Sequence, residues 1–162
     1  MLLPSLIVNT VATVLQTIPA LVTAMANDPA RIVPFHFLPG VGQNLSQAVN
    51  TMLRPGLIVA YETCVGANYD GGTIFRHHVA LYYRSGNQAN VSVPLPGEDV
   101  WAILINSPVN GSTVPYLNIR NTPLIPGKTK LMDVPSFAHQ QDEDLQDLFK
   151  GLFIFPEIGD QI

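Results

Sequence analysis

Four histidines, one cysteine and one dense acidic run are the material this 162-residue chain offers for chemistry. A helical zinc site needs two histidines at i, i+4 spacing, and His36, His77, His78 and His139 contain no such pair. His77 and His78 are adjacent, so on a strand they point to opposite faces and cannot share a ligand. We read each histidine as a packing or interface residue. Asp142, Glu143, Asp144 and Asp147 lack the alternating D-x-D-x-D-G order and the later glutamate of a calcium loop, and read as a solvated turn. Cys64 follows an apolar run, where a thiol packs as a small hydrophobe. No G-x-S-x-G elbow is present, and Gly40-Val41-Gly42-Gln43 is not followed by the G-K-[ST] of a phosphate loop. The expectation is a protein that is not an enzyme, with no catalytic residue, no cofactor and no metal.

Composition points the same way. Eight basic residues against twelve acidic ones give a formal charge of -4, and the basic residues are scattered. A sequence-independent nucleic-acid binder needs them clustered to displace counterions from phosphates. Charged residues make up 12% of the chain against 47% hydrophobic, whereas ordinary globular chains carry about 25% charged residues. Disorder is thereby excluded, and uncharged surface is left for other subunits to cover. A single cysteine rules out an intrachain disulfide framework. The sequons at Asn44, Asn90 and Asn110 are also turn chemistry and carry little weight.

The elements that must position these residues follow from periodicity. The first 27 residues hold no charged side chain and end in Ala24-Met25-Ala26, a small-x-small pattern like that of a secretory signal. No Lys or Arg precedes the apolar stretch, however. Ser5, Asn9, Thr13, Gln16, Thr17, Thr23 and Asn27 recur at helical spacing opposite Ile7, Val11, Val14, Ile18, Leu21, Val22 and Met25. A membrane span is apolar all round, so residues 4–26 read as an amphipathic helix, bent or broken at Pro19. Residues 27–56, dense in Pro and Gly, read as a loop insertion in which 44–52 forms a short helix.

Leu57-Ile58-Val59-Ala60-Tyr61 reads as a buried strand, with Asn68-Tyr69-Asp70-Gly71-Gly72 as a loop or hairpin turn. Residues 73–84 alternate, with Phe75, His77, Val79, Leu81 and Tyr83 on one face and Ile74, Arg76, His78, Ala80, Tyr82 and Arg84 on the other. Pro96-Gly97-Glu98-Asp99 opens a helix whose apolar face is Val100, Trp101, Leu104 and Ile105. Short strands are expected at 113–119 and 128–134, and a core strand at 148–158 reached through the acidic loop. The expectation is one α+β domain spanning residues 1–162, its mixed or mainly antiparallel sheet packed by the N-terminal helix and the helix near Trp101.

This order resembles the tail terminator proteins of long-tailed bacteriophages. It is carried by the N-terminal amphipathic helix, then Pro55-Gly-Leu-Ile-Val-Ala-Tyr-Glu62, a Gly-rich loop, Phe75-Arg-His-His-Val-Ala-Leu-Tyr-Tyr-Arg84, the helix near Trp101, and a closing Asp147-Leu-Phe-Lys-Gly-Leu-Phe-Ile-Phe-Pro-Glu-Ile-Gly-Asp160. The resemblance covers most of the chain as layout rather than as a diagnostic motif. It implies a non-enzymatic virion protein of the tail or neck, assembled in the host cytoplasm into a ring, usually a hexamer. Such a ring caps the tail tube, joins it to the head-tail connector and lets DNA pass without specific binding; no membrane is involved.

On that reading the loops at 66–72 and 122–130 are candidate contacts to tube or connector, with Asn68, Tyr69, Asp70, Leu124, Ile125 and Lys128 as candidate interface residues. An exposed strand edge such as 113–119 is a candidate for pairing between subunits. Two other readings compete: another phage neck or head-completion protein, and a monomeric β-rich module with Phe75, Trp101 and Phe153 lining a pocket for a small apolar ligand.

Overall fold

The structure, a computed structural model, describes residues 3–35, 44–69, 72–86, 97–106, 140–141 and 147–158. The uncharged N-terminal stretch forms two helices, α1 (Pro4–Leu15) and α2 (Pro19–Ala24), each with a proline in its first turn. Pro19 therefore divides the segment; its ring is tolerated at a helix start, where the N–H has no partner to lose. The two expected faces separate cleanly: Ile7, Val11, Ile18, Leu21 and Met25 are buried, while Ser5, Asn9, Thr13, Thr17 and Thr23 are exposed. The Thr10, Thr13 and Thr17 hydroxyls donate to the carbonyls of Leu6, Asn9 and Val14. The outer helix face thus satisfies its own hydroxyls without charge.

Residues 27–56 are not loop throughout. Ala26 and Asn27 take positive φ and end α2. After a single 3₁₀ turn, Ile32–Phe35 form strand β1, which pairs in parallel with the next strand from Ile32 opposite Leu57 to Phe35 opposite Ala60. Periodicity missed it because four residues containing a proline carry no local pattern, and the pairing is long-range. The expected short helix is present as α3 (Leu45–Thr51). It opens on a capping box in which Asn44 Oδ1 accepts from the Gln47 N–H and Gln47 Oε1 accepts from the Asn44 N–H.

Strand β2 (Gly56–Tyr69) and β3 (Gly72–Arg84) form a long antiparallel hairpin. Gly56 is required at its root, because a Cβ there would collide with the Leu53 carbonyl. Helix α4 (Gly97–Asn106) follows, then the two-residue β4 (Gln140–Gln141) and β5 (Leu148–Ile158), the latter with the expected bounds. The sheet has five strands in the order β1-β2-β3-β5-β4, mixed because only β1 is parallel to its neighbour. The chain is α+β.

Helices α1, α2 and α4 cover one face through Ile7, Val11, Leu15 and Leu21, with Trp101 and Leu104, packed on Leu57, Val59, Val79, Leu81 and Tyr83. Tyr83 stands edge-on to Trp101, 6.5 Å between centroids, and stacks on Phe149 at 6.1 Å. Burial, reinforced by the Asp99 charge, raises the Tyr83 phenol far above its ordinary range. On the opposite face α3 covers Ile58, Ala60 and Leu148 through Ala48 and Val49. No helix among the described residues is long and apolar enough to cross a membrane. The strands expected at 113–119 and 128–134, and the acidic loop 142–144, lie outside the described residues.

Candidate interaction site on the projecting arm

The helices cover only the root of the β2–β3 hairpin. On β2 burial is continuous over Gly56–Ala60 and then ceases: Glu62, Thr63, Val65, Gly66 and Asn68 are exposed and Cys64 is half-buried. On β3 the change falls at His77, with Arg76 exposed and Phe75 and His78 partly so. Strand β5 runs alongside, from His78 opposite Ile154 to Ile74 opposite Ile158. The outer part of β2, β3 and β5 is thus a three-stranded ribbon that continues roughly 20 Å beyond the buried root, at about 3.4 Å per residue.

The junction between root and arm is built from side chains. A β-bulge shifts the register there, so that Tyr61 pairs with Val79 and Thr63 with His78, leaving Glu62 as the extra residue. On the face of α1 and α4, the Tyr61 hydroxyl and His77 Nδ1 share a hydrogen bond at 2.7 Å, with His77 fully buried. On the other face Lys150 Nζ donates to Glu62 Oε1 at 3.1 Å and lies 5.7 Å from the centre of the Tyr82 ring. Partial burial alone would lower the Lys150 ammonium, but the hydrogen bond to Glu62, with Tyr82 beside it, reverses the sign and raises it.

His77 and His78 face opposite sides, as their adjacency requires, and Cys64 lies opposite His77 in register. His77 is engaged by Tyr61, which gives it the structural role expected of a buried polar group. Among the described residues, no three His, Cys, Asp or Glu side chains come together to hold a metal ion. His36 and His139 lie outside those residues.

Of the candidate interface residues, Asn68 is exposed near the end of β2, opposite Thr73, and Tyr69 pairs with Gly72. Both are strand residues rather than members of a loop at 66–72. Thr63, Cys64 and Val65 suit a strand, and only two residues, Asp70 and Gly71, separate the paired Tyr69 and Gly72, the spacing and composition of a tight hairpin. Asp70, Leu124, Ile125 and Lys128 lie outside the described residues, so the second candidate loop is not brought to this site. Sequence reasoning missed Thr63, Val65 and Arg76 as arm residues. The Asp-Gly dipeptide was the available signal, since it dates the turn and so lengthens both strands.

Of the residues offered for an apolar-ligand pocket, Phe75 and Trp101 are not brought together, and the Phe153 side chain lies outside those described. Trp101 is 4% exposed and packed on Tyr83, eight residues along the strand from Phe75 on the arm. A hollow of about 270 Å³ lies elsewhere, between α3 and β1, walled by Val33, Ala48, Met52, Leu53 and Ile58, with Arg31 at its margin. Arg31 Nη1 donates to the Pro55 carbonyl at 3.2 Å, and its Nε lies 3.8 Å from the Asp28 carboxylate without a hydrogen bond.

Comparison with known proteins gives no relative: no family model, no curated protein and no solved structure matches this chain.

Proposed function

We propose that the chain is a virion structural subunit that assembles as a ring, caps the tail tube of a long-tailed bacteriophage and joins the tail to the head connector. The observation that carries this reading is the arm: a three-stranded ribbon held at its root and exposed on its outer part at Glu62, Thr63, Val65, Gly66, Asn68 and Arg76, in a chain with little charge. A solitary domain gains nothing from ordering such a ribbon in water. A subunit uses it to reach a neighbour, the tube or the connector. The element order that carries the resemblance to tail terminators supports the specific assembly, and the net charge of -4 suits a channel through which DNA passes without sticking. The chemistry of the protein then consists of interfaces, with no catalyst or cofactor required.

Electron micrographs of particles made without this protein test the reading. Overlong tails are the expected result. Normal tails beside empty heads would move the protein to head completion, and intact particles of normal length would remove it from the virion altogether.

A further inference from the structure

No further inference is drawn: the strongest candidate, the apolar hollow between α3 and β1 walled by Val33, Ala48, Met52, Leu53 and Ile58, carries nothing, because Arg31 at its margin already donates to the Pro55 carbonyl and faces the Asp28 carboxylate, and nothing in the structure shows what would occupy it.

Discussion

Arg84 and Asp147, 63 residues apart, form a two-point ion pair: Arg84 Nη2 donates to Asp147 Oδ1 at 2.9 Å and Arg84 Nε to Oδ2 at 3.1 Å. Arg84 is 3% exposed, and its Nη1 donates to the Val49 carbonyl near the end of α3 at 2.9 Å. One guanidinium therefore joins the end of β3, the start of β5 and helix α3. Removing one partner leaves a buried charge uncompensated. Asp147→Ala is expected to lower the unfolding free energy by about 3–5 kcal/mol, measured by urea denaturation. A loss below about 1 kcal/mol would mean that water replaces the carboxylate.

The same pair sets a pH dependence. Partial burial on its own would raise the Asp147 carboxyl, but the hydrogen bonds and charge of Arg84, a backbone hydrogen bond and the charge of Arg54 outweigh it and hold the group below the ordinary carboxylate range. A depressed folded-state pKa stabilises the fold above the unfolded value of about 3.9, and that contribution is lost as the pH falls through the folded value. The stability gap between wild type and Asp147→Asn is therefore expected to be full at pH 6 and to narrow below about pH 4. A gap independent of pH between 2 and 6 would refute the assignment.

At the root of the arm, Tyr61→Phe removes the hydroxyl that meets His77 Nδ1 and keeps the ring. A loss of about 1–2 kcal/mol is expected, because a buried imidazole nitrogen forfeits one hydrogen bond. Hydrogen exchange adds a second readout: amides at 61–64 and 76–79 are expected to open faster, while those of β1 stay unchanged.

Helix α3 depends on its capping box, since it has only seven residues and buries only Ala48 and Val49. Asn44→Ala is expected to cost about 1 kcal/mol in a denaturation midpoint shift, and Asn44→Asp, which keeps the acceptor, to cost much less.

In the opposite core, Leu81→Ala deletes a fully buried side chain beneath the helices and is expected to cost about 2–5 kcal/mol. Trp101 fluorescence reports the same unfolding transition, with a shift to longer wavelength as the indole leaves its site beside Tyr83.

The faces of α1, α2, α4 and β3, and the bounds of β5, were legible because each is a local period: 3.6 residues for the helices and 2 for the strands. Pro19 marked a bend or break for the same local reason, and the structure decides for two helices, α1 and α2. Other features were hidden. The outer half of β2 escaped periodicity because the bulge at Glu62 inserts one residue and resets the alternation. Strand β1 exists through a parallel partner twenty-five residues away, from Ile32 to Leu57, and has no pattern of its own. The Arg84–Asp147 pair joins residues that chain order keeps far apart.

By itself, then, the sequence determined the class of the protein: a charge-poor α+β fold whose uncharged N-terminal stretch has two faces, with no spacing suited to metal or nucleophile chemistry. Only the tertiary structure decided which surfaces are finished and which are left open. Whether a backbone N–H is available depends on what lies beside it, and that is set by neighbours distant in the chain: Gln16 and Pro29 close the edge of β1, while the pairing of β1 with β2 runs as far as Phe35 opposite Ala60, and no described strand lies beside β2 beyond it.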